Sequence, residues 1–284
     1  MHIVNTDQAE YWNSEAGEKW VRYQRLLDAQ IGPLGREAMD LARVSPGERV
    51  VDVGCGCGHT SIELAQRVSP GGHVLGIDLS TPMLDRARER ADAEGVENVT
   101  FVRGDAQSYP FPPRKFDLVF SRFGVMFFAD AVAAFRNLLA ASRPGARLAF
   151  VCWQAVTENP WMAVPLMAAL QHLPNAELPN PDAPGPFAFA DADKVRRILS
   201  AAGYENLEFH TVRRELLIGA GEPLEGAVEF LLQMGPTGKL LKEADGELRR
   251  RVAESVREAL KPYETEDGVR MLGTAWIVTA IAPR

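Results

Sequence analysis

Apolar residues recur at roughly helical spacing over residues 8–43, which predicts helices at the start of the chain. The large apolar side chains that carry this pattern are Tyr11, Trp12, Trp20, Tyr23, Leu26 and Leu27. We expect Gly32-Pro33 to interrupt the run, because proline has no amide hydrogen to donate within a helix. Pro33 would then begin the next helix.

From residue 46 onward, short apolar runs alternate with segments of helical period. The runs predict strands at 49–53, 73–78, 99–105, 116–123 and 146–153, and the segments between them predict helices at 59–68, 80–95 and 130–142. Ser80 is the expected N-cap of the helix at 80–95, and Gly95 ends it. Nearly continuous apolar strands that alternate with helices are typical of a parallel sheet covered on both faces.

The pattern changes at 155–190, where seven prolines predict one short helix (161–173) followed by a proline-rich loop. The remaining elements are predicted to be a helix at 191–203, a strand at 207–216, helices near 224–234 and 245–262, and a strand at 274–282. We interpret the last two strands as an antiparallel edge pair with two helices inserted between them.

These elements predict an α/β fold: a Rossmann-like, doubly wound, seven-stranded sheet with an antiparallel edge strand, plus N-terminal helices and helical insertions that form a cap. The predicted division is an N-terminal helical cap (1–45), a cofactor-binding core (46–155), an insertion or substrate loop (156–190), and a C-terminal part of the core (191–284) with a helical insertion at 222–262.

Composition narrows the expected partners. The chain has 284 residues, a formal net charge of −7 and three cysteines. An acidic chain is less suited to nucleic acid or an anionic membrane than to a small molecule, so we predict neither of the first two as a partner. The N-terminus lacks the apolar core of a signal peptide, and three cysteines make no disulfide framework, so we expect a cytoplasmic protein. The oligomeric state stays open, with a homodimer as one option.

The segment Gly54-Cys55-Gly56-Cys57-Gly58-His59 supports two hypotheses. The alternating cysteines and the histidine could hold a metal, but structural zinc sites take four protein ligands, usually from pairs with wider spacing. We therefore predict no metal site. Glycines after a strand instead allow a tight turn and close approach of a ligand to the backbone. A dinucleotide loop would place a third glycine where this chain has His59.

Two acids at later strand ends favour the nucleotide hypothesis. Asp78 follows the second strand, twenty residues after Gly58, and its two carboxylate oxygens could accept both ribose hydroxyls. Asp105 follows the third strand and could accept the amine of an adenine. Ligands of open α/β sheets bind outside the carboxyl ends of the strands, where the glycine loop, Asp78 and Asp105 would all lie.

The motifs VVDVGCGCG, GIDLS, GDAQSYPF, FDLVFSRFGVMFF and RPGARLAF occur in this order. With them, residues 8–155 resemble the class I S-adenosylmethionine-dependent methyltransferases, in particular the group related to ubiquinone and menaquinone biosynthesis. The resemblance implies S-adenosylmethionine as cofactor, S-adenosylhomocysteine as product, and the strand at 274–282 between those at 146–153 and 207–216. The residues that it implies for the cofactor are Asp52, Gly54, Gly56 and Gly58 at the methionine and ribose, Asp78 at the ribose, Leu79 and Met83 beside the adenine, Asp105 and Ala106 at the adenine edge, and Ser121 and Arg122 under the sulfonium.

The first helix, 155–190 and 222–262 are the segments expected to enclose the methyl acceptor. Trp20 is predicted to cover the cofactor, because a sulfonium is attracted to aromatic faces. The predicted acceptor-binding residues are Tyr11, Trp12, Phe123 and Trp153, although ordinary core packing would explain the N-terminal aromatics equally well. Residues 230–241 could line an apolar cavity or simply cover the edge strands.

No catalytic residue follows from the sequence. A general base is required only when the nucleophile still carries a proton. His172 and Arg122 are the weak candidates, with His210 and Glu158 behind them.

The leading functional hypothesis is a methyltransferase that acts on a small, partly apolar molecule through an O, N, C or S nucleophile. The alternatives are a noncatalytic S-adenosylmethionine-binding module, a macromolecular methyltransferase, and a nicotinamide-dependent oxidoreductase, against which His59 argues.

Overall fold

A single mixed sheet organises the computed structural model, which describes residues 3–176, 180 and 183–284. Its strands are β1 (Arg49–Val53), β2 (His73–Asp78), β3 (Val99–Arg103), β4 (Phe116–Arg122), β5 (Ser142–Trp153), β6 (Glu205–Ile218), β7 (Glu264–Thr265) and β8 (Gly268–Ile281). The strand order is β3-β2-β1-β4-β5-β8-β6, and the short β7 pairs with β8. Strands β1 to β5 pair in parallel, whereas β8 lies antiparallel between β5 and β6. The predicted fold and the predicted place of the last strand are confirmed.

Helices pack against the strands of the sheet. They are α1 (Thr6–Trp12), α2 (Glu15–Arg22), α3 (Gln24–Leu41), α4 (His59–Arg67), α5 (Thr81–Ala93), α6 (Ala131–Ala141), α7 (Pro160–Leu170), α8 (Ala192–Ala202), α9 (Leu224–Gln233), α10 (Gly235–Leu240) and α11 (Gly246–Leu260). Short 3₁₀ turns lie at Val125–Phe127, Val156–Glu158, Gly219–Gly221 and Lys261–Tyr263. No helix in the described ranges is both long and apolar enough to cross a membrane.

The N-terminal helices differ from the prediction at Pro33. Helix α3 continues through this residue instead of ending before it. Proline inside a helix costs about 3 kcal/mol, but the face that carries Leu27, Ile31, Leu34 and Ala38 is buried in the main core. Burial of these side chains along one face outweighs the local penalty.

Several other element boundaries differ from the prediction; the last strand, β8, begins at Gly268 and not at 274. Residues 235–240, which lie between the predicted helices at 224–234 and 245–262, form helix α10. Pro236 lies in its first turn, where the missing amide hydrogen costs no bond. Strand β5 begins at Ser142, not at 146, because Ser142 pairs with Phe116 before a bulge in the ladder. Part of the predicted proline-rich loop, residues 177–179 and 181–182, lies outside the described residues.

Candidate active site

A cavity of about 350 Å³ lies at the carboxyl ends of the parallel strands. The sheet side of its wall comes from the segments that follow β1, β2, β3, β4 and β5, and the opposite side comes from α1, α2, α3, α9 and α10. The predicted site residues that line it are Tyr11, Trp12, Trp20, Gly54, Gly56, Asp78, Leu79, Met83, Asp105, Ala106, Arg122, Phe123 and Trp153. One cavity therefore brings together residues assigned from sequence to the cofactor and residues assigned to the acceptor.

The glycine loop gives backbone access to this cavity. Gly54 has a φ of +68°, and a Cβ placed on it would lie 2.7 Å from Gly124 Cα. Gly56 also has a positive φ, but its Cβ would meet only Met83 Sδ, at 3.8 Å. A side chain at Gly56 would therefore occupy the cavity itself. This open cradle fits a cofactor that packs against the loop, as the class I methyltransferase resemblance implies.

Asp78 lies at the floor of the cavity with acceptor capacity to spare. Its Oδ2 accepts a hydrogen bond from Gly56 N at 2.8 Å, and its Oδ1 accepts one from Ser80 N at 2.9 Å. Burial raises the pKa of Asp78, and these backbone bonds offset part of that rise. A carboxylate has about four acceptor sites, so each oxygen can still accept a ribose hydroxyl. The geometry fits the assigned role.

Asp105, by contrast, is already saturated by the N-terminal arm, which we define as residues 3–5. Oδ2 accepts hydrogen bonds from Val4 N and Asn5 N, and Oδ1 accepts them from Asn5 Nδ2 and Gln107 N, all at 2.7–3.0 Å. These four bonds use the acceptor sites of one carboxylate. An adenine amine could therefore bind Asp105 only after one of them breaks, and its cofactor role stays a prediction.

Three residues assigned to the cofactor lie behind the cavity wall and not in it. Asp52 accepts hydrogen bonds from Thr60 and Ser61 of α4, at 2.6 Å each, and burial raises its pKa to about 6. Ser121 donates to Val53 O at 2.7 Å and accepts a bond from Gly124 N. Gly58 adopts a left-handed conformation immediately before α4. In this structure all three shape the loop instead of lining the site.

Arg122 lines the cavity but belongs to a buried ion cluster, defined here as Asp28, His59, Arg90 and Arg122. Arg122 donates to Asp28 Oδ1 at 3.1 Å, and its other terminal nitrogen lies 3.0 Å from His59 Nδ1. Burial, together with the Arg122 cation, lowers the pKa of His59 to about 4, so its neutral ring accepts the Arg122 hydrogen. The cluster ties α3 to the end of β4, which makes positioning the evident role of Arg122.

Aromatic rings form two groups along the cavity. Trp12 makes edge contacts with Tyr11, Trp20 and Phe127, at centroid distances of 5.0–5.8 Å. Phe123 stacks on Trp153 at 4.2 Å, and Trp161 lies 5.3 Å beyond Trp153. Phe123 has a φ of +63°, an unfavourable backbone conformation for this residue that is often found at functional sites.

The candidate base His172 lies outside the cavity. Its Nε2 is 2.8 Å from Ser255 Oγ of α11, because the segment after α7 turns toward that helix. Glu158 pairs with Arg213 at 3.1 Å, and His210 lies on β6 within 3.4 Å of Glu208. None of these residues lines the cavity, so their proposed proton-transfer roles lose their geometric basis.

The cysteines of the glycine loop are packing residues. Cys55 is buried in a small cluster with Ile62, Leu84, Ala87 and Phe101. Burial raises the pKa of Cys57 to about 12, which keeps its thiol protonated. Within the described ranges, no three His, Cys, Asp or Glu side chains are grouped to hold a metal ion.

Among the described residues, sequence reasoning missed six polar ones that line the cavity: Asn5, Gln8, Gln30, Trp161, Asn180 and Lys239. Gln30 and Trp161 are 2% and 7% exposed, and Gln30 Oε1, Gln30 Nε2 and Trp161 Nε1 have no hydrogen-bond partner. A glutamine in an amphipathic helix gives no functional signal in the sequence. Only the fold shows that its amide is buried and unpaired.

Comparison with known proteins identifies the family. Residues 50–145 match the model of a methyltransferase domain. Aklanonic acid methyltransferase of Streptomyces sp. (strain C5) is 34% identical over 198 residues, which cover 67% of this chain and 90% of that protein. Demethylmenaquinone methyltransferase of Thermus thermophilus is 41% identical over 113 residues, which span 40% of this chain and half of that enzyme.

Solved structures support the fold alone, because their sequence identities are low. The [4+2]-cyclase SpnF matches with a TM-score of 0.58 at 20% identity and covers 94% of this chain and 95% of its own. Phosphoethanolamine N-methyltransferase 2 of Haemonchus contortus, in complex with S-adenosylmethionine, matches with a TM-score of 0.52 at 21% identity, over 88% of this chain and 53% of its own. The relative that is 34% identical over 90% of its length shows the family, and the matched domain model agrees with it: the chain belongs to the class I S-adenosylmethionine-dependent methyltransferases, and S-adenosylmethionine is its cofactor.

Proposed function

We propose that this enzyme transfers the methyl group of S-adenosylmethionine to a small, aromatic molecule enclosed between the sheet edge and the N-terminal helices. The observation that carries the proposal is the continuity of the cavity, which runs from Gly56 and Asp78 to Phe123 and Trp153. Aromatic walls with few polar groups are typical of small-molecule sites. The related enzymes named for aklanonic acid and demethylmenaquinone support a small acceptor.

The protein's own residues would bind, orient and exclude water. S-adenosylmethionine, when bound, supplies an electrophilic methyl group on a sulfonium. Gly54, Gly56 and Asp78 would hold the cofactor, while Trp12 and Trp20 close the cavity from the cap side. Phe123, Trp153 and Trp161 would fix the plane of the acceptor, because reaction requires an aligned approach of the nucleophile to the methyl carbon.

Calorimetry with S-adenosylhomocysteine tests the cofactor half of the proposal. Asp78→Ala should weaken binding by at least about tenfold, or 1.4 kcal/mol, because it removes the ribose acceptor. Asp85→Ala is the matched control, since Asp85 is exposed on α5 and lies outside the cavity wall. Unchanged affinity in Asp78→Ala would refute the ribose assignment, and a folded wild-type protein that binds no S-adenosylhomocysteine would refute the proposal.

Transfer of a labelled methyl group to phenols, carboxylic acids, amines, thiols and quinone precursors tests the acceptor half. A product from one of these classes supports catalysis. Tight cofactor binding without transfer to any acceptor would favour the alternative of a noncatalytic module.

The proposed setting is the cytoplasm, with a small molecule and not nucleic acid as the partner. The net charge of −7 supports a small-molecule partner over nucleic acid, because a general nucleic-acid binder carries a basic surface. Cell fractionation tests the location, and a mobility-shift assay with DNA and RNA tests the partner. Formation of a specific shifted complex would contradict the proposal.

A further inference from the structure

We propose that the acceptor binds as a preformed oxyanion, a carboxylate or an ionised enol or phenol, held by Lys239, Gln30 and Trp161 and methylated without a protein base. This inference rests on the proposed function and specifies its substrate class.

The first support is the unpaired amide of Gln30. Both of its amide atoms are buried without a partner, although the residue lines the cavity. Leaving such a group unpaired costs about 1–3 kcal/mol, which a ligand oxygen beside it would recover. Gln30 lies on α3 between Leu27 and Ile31, which line the same cavity. Phe230 of α9, which contacts Tyr23 just before α3, lines this cavity as well.

The second support is the kind of polar group that accompanies Gln30. Trp161 Nε1 is a donor only, and it too is buried without a partner. Lys239 of α10 also lines the cavity, and α10 packs against α7, the helix that carries Trp161. Two buried donors and a cation on the cavity wall fit an acceptor that presents negatively charged oxygen.

The third support is the lack of a usable proton acceptor along the described wall. Its titratable residues are Tyr11, Asp78, Asp105, Arg122 and Lys239. Asp105 accepts four hydrogen bonds, and Asp78 lies at the cofactor end. Burial raises the pKa of Tyr11, so its phenol stays protonated at neutral pH. A nucleophile that still carried its proton would find no base here.

An amine acceptor fits this end of the cavity poorly. Free alkylamines are largely protonated at neutral pH, and an ammonium would face Lys239 without a free carboxylate beside it. An oxyanion avoids both problems. Its lone pair forms the new O–CH₃ bond, the bond between this methyl and the sulfonium sulfur breaks, and that electron pair stays on sulfur. The oxyanion and the sulfonium both become neutral, and no proton moves.

Binding to the complex with S-adenosylhomocysteine tests the inference through a pair of probes. The first is 2-hydroxy-1,4-naphthoquinone, which is ionised at neutral pH, and the second is its neutral 2-methoxy ether. Tryptophan fluorescence would follow binding, since Trp153 and Trp161 line the cavity. We expect the ionised probe to bind at least about tenfold more tightly than the ether. Equal affinities, or no binding of the ionised probe, would overturn the inference.

Variants of Lys239 and Gln30 test which residues cause the preference for the ionised probe. Lys239→Met should reduce the ratio of the two affinities about threefold, as expected for an exposed charge. Lys242→Met makes the same charge change outside the cavity wall and should leave the ratio unaltered. Equal effects of the two lysine variants would count against the inference.

Gln30→Leu should weaken the ionised probe about tenfold while S-adenosylhomocysteine affinity changes less than about twofold. It should not destabilise the unliganded protein, because it removes an unpaired buried amide. Gln154→Leu is the control, since that buried amide donates to Thr211 and Ala275 and its loss should lower stability. A Gln30→Leu variant that loses cofactor affinity instead would overturn the assignment. Failure of the wild type to bind S-adenosylhomocysteine would refute the proposed function itself.

Discussion

Replacing Asp28 by asparagine would test whether the buried ion cluster holds the N-terminal cap on the sheet. The Asp28 carboxylate accepts hydrogen bonds from Arg122 at 3.1 Å and from Arg90 at 3.0 Å. Arg90 also donates to Cys57 O in the glycine loop at 2.9 Å. One carboxylate therefore links α3, α5, the end of β4 and the glycine loop that lines the cavity.

The burial of the Asp28, Arg90 and Arg122 side chains determines how much unfolding free energy Asp28→Asn should lose. Their side-chain exposures are only 10–13%, so solvent screens the charges weakly. Burial by itself raises the pKa of Asp28, but the Arg122 cation and its neighbours lower it below the ordinary value. Asp28→Asn would leave two guanidinium groups without their shared counter-ion. Breaking a buried pair in this way costs about 3–5 kcal/mol of unfolding free energy.

Urea denaturation at neutral pH, followed by tryptophan fluorescence, measures this loss. Asp40→Asn is the control, since Asp40 forms an exposed pair with Arg67 and its loss should cost less than about 1 kcal/mol. We also expect Asp28→Asn to lower S-adenosylhomocysteine affinity, because Arg90 and Arg122 would no longer be held in place. A stability loss as small as that of Asp40→Asn would refute the reasoning that the cluster anchors the cap.

Three further perturbations follow from other features. Gly54→Ala should lower stability in thermal unfolding by about 1–3 kcal/mol, because the new Cβ would clash with the backbone of Gly124. Gly95→Ala is the control, since Gly95 has a similar φ but open space around it, and its loss of stability should be smaller. Equal losses in the two variants would show that the clash is not the cause. Asn5→Ala should speed amide hydrogen exchange in the arm and in α1, because it removes the side-chain bond to Asp105; unchanged exchange would show that the arm is held otherwise. The pKa of His59 falls from 6.5 to about 4 on folding, so the stability of the wild type should decline as the pH falls through this range. His59→Gln should flatten this decline. Parallel stability–pH profiles of the wild type and the variant would show that His59 is not its cause.

The glycine loop and its acid were predictable because they depend on local order. Strands β1 and β2 begin and end where the apolar pattern places them, at 49–53 and 73–78. A strand buried on both faces is a short apolar run between turn residues, which the sequence displays directly. Ser80 likewise caps α5 as predicted, by accepting a hydrogen bond from Met83 N.

Asp105 and Ser121 show where this local reasoning stops. Each lies at or beside a strand end as predicted, but its hydrogen-bond partners come from distant parts of the chain. Asn5 lies a hundred residues before Asp105 in sequence, and Val53 precedes Ser121 by 68. No periodicity or spacing encodes such a contact. It arises only when the arm and the neighbouring strand are brought together.

The sequence by itself determined the sheet and the strand ends that carry the glycine loop and Asp78, where we propose that the cofactor binds. Parallel strands must end on the same side, so motifs at successive strand ends converge without further information. Only the tertiary structure showed which polar side chains are buried in the cavity wall where we propose that the acceptor binds. Whether Gln30 is a solvated helix residue or a buried amide without a partner depends on how α3, α7 and α10 pack, and burial of a polar group has a meaning only once its neighbours are known.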